Sequence, residues 1–130
     1  MKRNIWPLIL FAFLTACKKE NPKEMDVPSV FTVANPTNGT IYLNGSTLQI
    51  RGNTTDDNVL SSVNCTVRNK NTNAVLYNRT LTTGNVGYFD FAQDWTITGI
   101  SSLTPVQLII TTTDKVGYTA NKTVDFQLID

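Results

Sequence analysis

The chain has 130 residues, with 11 basic and 10 acidic side chains, no histidine and a formal net charge of +1. A near-neutral surface has no long-range field for gathering nucleic acid, so no nucleic-acid partner is expected. Without histidine the commonest general base and metal ligand is missing, and no Gly-X-Ser-X-Gly elbow or phosphate-cradling glycine loop stands in for it.

At the start of the chain, Lys2 and Arg3 precede an apolar run from Ile5 to Leu14. A basic start, a short apolar core and small residues behind it make residues 1–16 a signal peptide. The run falls short of the roughly 20 apolar residues that span a bilayer. It closes on Leu14-Thr15-Ala16-Cys17, which resembles the lipobox of bacterial lipoproteins. This resemblance implies that the peptide before Cys17 is removed, that the Cys17 thiol is lipidated and that the new N-terminus is acylated with chains such as palmitate. The implied address is the bacterial outer membrane, facing the periplasm or the cell surface, with the lipid as membrane partner. Each buried methylene contributes about 0.8 kcal/mol, so several acyl chains anchor the protein and no protein surface need touch the bilayer. An ordinary secretory signal that happens to end beside a cysteine is the other reading.

Residues 17–26 carry three charges of each sign and Pro22, and bury too little apolar surface to order themselves, so they read as a tether behind the lipidated cysteine. Lys18-Lys19-Glu20 resembles the charged signals that send some lipoproteins to the outer face of the outer membrane, a plain spacer being the alternative. Lipidation of Cys17 leaves Cys65 without an intramolecular partner, and its place between Val63 and Val67 makes it a small buried hydrophobe.

Residues 27–130 suit one domain. They hold no glutamate and are rich in Thr, Val, Ile and aromatics, with Asn and Gly between, which are strand formers separated by turn formers. The first strand is expected from Val27 to Ala34, turned by Pro36-Thr37-Asn38-Gly39. Thr40 to Leu43 follows, and Asn44-Gly45 signals a hairpin-like return into Thr47 to Gly52. Asn53 to Asn58 reads as a polar loop. Val59 to Asn69 alternates Val63, Cys65 and Val67 on one face. Ala74 to Leu81 alternates with no clear buried side, and Thr82 to Asn85 turns into Tyr88 to Ile97, where Phe89, Phe91 and Trp95 share a face and supply much of the core. Val106, Leu108 and Ile110 mark Pro105 to Thr113 as a central strand. After a turn at Asp114 to Tyr118, Thr119 to Ile129 closes the sheet with Val124, Phe126 and Leu128 inward. Short strands at such spacing predict an all-β antiparallel sandwich of seven to eight strands.

Three stretches carry a family resemblance: Pro36-Thr37-Asn38-Gly39, Asp56-Asp57-Asn58-Val59-Leu60 and Thr112 to Tyr118. With them the segment from Val27 to Asp130 resembles bacterial Ig-like and cadherin-like domains, in whose last turn Tyr118 replaces the common asparagine. An antibody-type cysteine pair is absent. The resemblance implies an Ig-like β-sandwich, a scaffold that hosts unrelated roles.

In such a sandwich the loop holding Asp56, Asp57 and Asn58 emerges at the same end as the turn holding Asp114. Oxygen ligands gathered there suit calcium, which takes six to eight oxygens; the alternative is aspartates that bond their own backbone in turns. No other cofactor is implied. Asp90 and Asp94 share a face of one strand, about 13 Å apart along it, where a glycosidase pair needs roughly 5 to 10 Å. Three functions stand open: a non-enzymatic envelope module that binds or scaffolds a protein or glycan, a carboxylate-dependent hydrolase using Asp90 or Asp94, and a structural spacer.

Overall fold

Alternation of apolar with Thr, Asn and Asp side chains produces strands almost throughout the computed structural model, which describes residues 26–130. The expected signal peptide, Cys17 and the expected tether up to residue 25 lie outside the described residues. Among the described residues no helix is long and apolar enough to cross a membrane. In chain order the strands are β1 (Val30–Asn35), β2 (Ile41–Leu43), β3 (Thr47–Asn69), β4 (Val75–Thr96), β5 (Thr104–Asp114) and β6 (Thr119–Ile129).

Two strands serve both layers of a sandwich. The first half of β3 pairs with β1 through residues 51–55 and with the second half of β4 through residues 47–55. Its second half pairs with β5 and with the first half of β4. One layer therefore runs β1, β3 and β4, and the other β4, β3, β5, β6 and β2. The crossing points are paired irregularities. Residues 56–59 of β3 stand opposite Gly87 alone, and a few positions on, residues 83–85 of β4 stand opposite Ser61. Extra residues on one strand and then on its partner sharpen the local twist and bend both strands together. Gly84 and Asn85 supply the positive φ, 75° and 61°, that the second bulge needs.

Folding back is visible in β4 itself. The rings of Tyr77 and Trp95 stack at 5.6 Å, and the Tyr77 hydroxyl donates to Gln93 Oε1, although these residues belong to opposite halves of one strand. The core lies between the layers: Leu48, Ile50 and Phe91 from one side meet Val63, Cys65, Val67, Val106, Leu108, Ile110, Val124, Phe126 and Leu128 from the other. The alternations of Val63 to Val67, Val106 to Ile110 and Val124 to Leu128 are those expected from the sequence; of Phe89, Phe91 and Trp95 only Phe91 is fully buried, the other two packing partly buried against the core; and β5 is central, flanked by β3 and β6.

Four expectations about individual segments are corrected. The first strand begins at Val30 rather than Val27. Asn44-Gly45 does turn, with Gly45 at φ 81° and the Ser46 N–H bonding the Leu43 carbonyl, but no hairpin follows. β2 instead pairs in parallel with β6, and its Tyr42 ring packs edge-on against Phe126 at 5.6 Å. The stretches expected as the 53–58 loop and the 82–85 turn are bulged strand inside β3 and β4, because ladder bonds to their neighbours resume on either side. Thus the expected segments are present, but the layers are joined by continuous strands instead of loops.

Candidate functional site

The bend in β3, the turn between β5 and β6 and the residues leading into β1 meet at one end of the sandwich. Leu60 pairs with Asp114, and the Lys115 N–H bonds the Val59 carbonyl at 2.7 Å, which locks the bend against the turn. Of the residues expected to gather from loop topology, Asp56, Asp57 and Asn58 lie in the bend and Asp114 in the turn bonded to it. One further carboxylate, Asp26, joins them: one oxygen from each of Asp26, Asp56 and Asp57 lies within 4.8 Å of the others.

Asn58 organises the group by donation. Its backbone N–H bonds Asp56 Oδ1 at 2.8 Å and Asp57 Oδ1 at 3.0 Å, and its side-chain amide bonds Asp26 Oδ1 at 3.0 Å. Ser29 holds Asp56 Oδ2 with its hydroxyl, which also lies 2.8 Å from Thr112 Oγ1. These bonds explain why polar residues interrupt the strand pattern at 56–58: the short side chains satisfy backbone and neighbours at a bend.

Asp114 does two things with its two oxygens. Oδ1 accepts the backbone N–H groups of Val116, Gly117 and Tyr118 at 2.9, 2.7 and 2.8 Å, which builds the turn. Oδ2 is buried, in a residue only 4% exposed, and has no hydrogen-bond partner among the described residues. Burial pushes the Asp26 carboxyl up, the Asn58 amide opposes that, and the charges of Asp114, Asp57 and Asp56, in that order, push it up further. The two ion pairs among the described residues, Arg51–Asp94 and Lys70–Asp125, lie elsewhere. No lysine or arginine among them pairs with this group.

Asp26 falls in the stretch that reads as tether, so pattern reasoning passes over it. Asp90 and Asp94 are in another place altogether, exposed on the outward side of β4. Tyr88 donates its hydroxyl to Asp90 at 2.7 Å, and Arg51 pairs with Asp94.

The fold is an Ig-like β-sandwich. Among solved structures, fibronectin(III)-like modules of CbhA from Clostridium thermocellum match with a TM-score of 0.53 at 14% identity, over 76% of this chain and 94% of that one. The sporulation control protein Spo0M from Bacillus subtilis matches with a TM-score of 0.51 at 8% identity, over 82% of this chain and 51% of that one, so this chain spans about half its length. At such identities the likeness carries the fold alone. No family model matches the chain, and no curated protein matches it.

Proposed function

We propose that the chain is a lipid-anchored, non-enzymatic Ig-like module of the bacterial envelope, which binds or scaffolds an envelope protein or glycan through its loops or a free strand edge. The observation that carries the anchor is Leu14-Thr15-Ala16-Cys17 placed directly after a basic start and an apolar core. A lipid at Cys17 leaves the whole surface of the sandwich available to a partner, which accords with its self-contained core and its near-neutral charge. The non-enzymatic reading rests on the chemistry within reach: no histidine anywhere in the chain, a Cys65 thiol shut in the core, and Asp90 and Asp94 held separately by Tyr88 and Arg51 on an open face. The outer membrane is the proposed location.

The test is expression of the full chain in a bacterial host, with mass spectrometry of the N-terminus and fractionation of the envelope. Cys17 should carry lipid, and Cys17→Ser should leave the membrane fraction. Met1 still attached, or a Cys17→Ser chain that stays with the membrane, defeats the anchor. Cross-linking from intact envelopes then tests the partner: replacing Asp90 and Asp94 together by Asn should leave partner capture intact, whereas a hydrolase would lose turnover.

A further inference from the structure

At the corner of the sandwich where β3 ends, Arg68 of β3 stands opposite Gln107 of β5, and Gln107 opposite Asp125 of β6. Their neighbours along each strand, Val67, Val106, Leu108, Val124 and Phe126, are buried in the core, so this row faces outward. The next row holds Lys70, whose N–H bonds the Pro105 carbonyl at 2.9 Å, then Pro105 and its partner Gln127. Asn38 and Gly39 close the corner: the Gly39 N–H bonds the Asp125 carbonyl at 2.9 Å, and Asn38 Oδ1 accepts the Asp125 N–H at 3.0 Å. Pro105 is short and a Cβ at Gly39 would meet open space, so longer side chains stand around a low floor. The result is a groove of about 460 Å³ over Pro105 and Gly39, adjoined at Lys70 by a hollow of about 190 Å³ between Arg68, Lys70, Asn73 and Gln107. The larger is within the roughly 300–1,000 Å³ of small-ligand sites.

The two hollows differ in chemistry. The smaller is lined by two cations and two amides with no carboxylate among them, and Arg68 has no ion-pair partner among the described residues. The larger mixes donors with acceptors, and its carboxylate is fixed: Lys70 and Gln107 each hold one Asp125 oxygen at 2.9 Å. Arg68 and Lys70 against Asp125 leave a surplus of positive charge. A guanidinium beside an ammonium suits a carboxylate, whereas amides and a fixed carboxylate suit hydroxyls, which donate and accept at once. We infer that this groove binds a glycan of the uronic-acid class, with a sugar carboxylate on Arg68 and Lys70 and ring hydroxyls on Asp125, Gln127 and Asn38. An acidic peptide lacks the usual purchase here, because β3, β5 and β6 are each bonded on both sides at this corner and offer no free strand edge. The inference names a class for the glycan partner of the proposed envelope module, and in that respect rests on that reading.

The full chain in detergent at neutral pH is titrated with oligosaccharides of galacturonic and glucuronic acid and with their methyl esters, and followed by amide NMR. Saturable shifts are expected at the residues lining the two hollows, with a Kd on the order of 1 mM for so open a groove. The methyl esters, which keep the hydroxyls and lose the charge, should bind about tenfold more weakly. Arg68→Gln, at an exposed position, should weaken the acidic sugars by about the same factor and leave the esters unchanged. Gln127→Ala should weaken acids and esters alike, and Arg79→Gln, on β4, should change neither. Absence of any saturable shift at about 20 mM sugar, or shifts confined to other residues, would overturn the site. Esters that bind as tightly as the acids, or unaltered binding in Arg68→Gln, would remove the carboxylate from it. Acetate or a triglutamate peptide binding as tightly as the sugars would reduce it to an anion site and overturn the glycan. Failure here leaves lipid at Cys17 and capture of a protein partner by cross-linking as separate results, so it is distinguishable from failure of the module reading.

Discussion

At Gly52 a Cβ atom would run into the Thr32 carbonyl oxygen of β1 and into the ring of Phe91, its cross-strand partner on β4. The ring lies where a side chain would stand, so the glycine is there to let β1 and Phe91 close over β3. Gly52→Ala is expected to cost roughly 1–3 kcal/mol, the usual penalty of overpacking, read as a lower urea midpoint with an unchanged slope. An alanine variant as stable as the parent would mean that β1 can move aside freely. Cys65 is the opposite case, a residue whose role its neighbours announce. Alternation with Val63 and Val67 places it inside, and burial pushes its thiol up to about 12. A neutral, enclosed thiol is inert. In a Cys17→Ser chain at about pH 8, Ellman's reagent should therefore find no thiol until denaturant is added; prompt labelling of the folded protein would take Cys65 out of the core. Asp26 was not legible in this way, because nothing in a run of alternating charges distinguishes the one carboxylate that folds back onto the domain.

Among the elements, β5 and β6 were readable because strict period-two alternation leaves one consistent buried face, and their register brings Gln107 opposite Asp125. Lys70, from the turn after β3, donates to Asp125 Oδ2 at 2.9 Å and Gln107 donates to Oδ1 at 2.9 Å. Lys70 first, then Gln107, hold the Asp125 carboxyl below its ordinary 3.8. A group whose folded value is depressed stabilises the fold above its unfolded value, and that contribution is lost as pH falls through the depressed one. Asp125→Asn should accordingly melt slightly lower than the parent at neutral pH, slightly because the pair is open to solvent, and the gap should close in acid below about pH 4. A gap that widens in acid would contradict the assignment. The bent strands β3 and β4 were not readable as continuous. Polar clusters at 53–58 and 82–85 have loop composition, and only the neighbouring strands, by resuming their ladder bonds beyond each bulge, keep these residues in the sheet. The first half of β4 stayed ambiguous for a related reason: it is an edge, where Leu76, Tyr77 and Leu81 are each only half covered.

Across the whole molecule a single core joins the two layers, and Phe91, 1% exposed, sits among its members beside Gly52. Phe91→Ala should cost about 3–5 kcal/mol, a large share of the roughly 5–15 kcal/mol that holds a typical domain. Because both layers bury against the same residues, melting followed by far-ultraviolet circular dichroism and by near-ultraviolet signals of Tyr77 and Trp95 should shift together. Separate transitions would show that the layers unfold independently. By itself the sequence determined the all-β class and the inward sets Val63-Cys65-Val67, Val106-Leu108-Ile110 and Val124-Phe126-Leu128, since side-chain alternation is a local property of the chain. Only the tertiary structure decided that β2 runs parallel beside β6 instead of forming a hairpin, that β3 and β4 bend through both layers, and that Asp26 completes the acidic end. Each of those depends on partners far away in sequence, whose hydrogen bonds and charges no local pattern encodes.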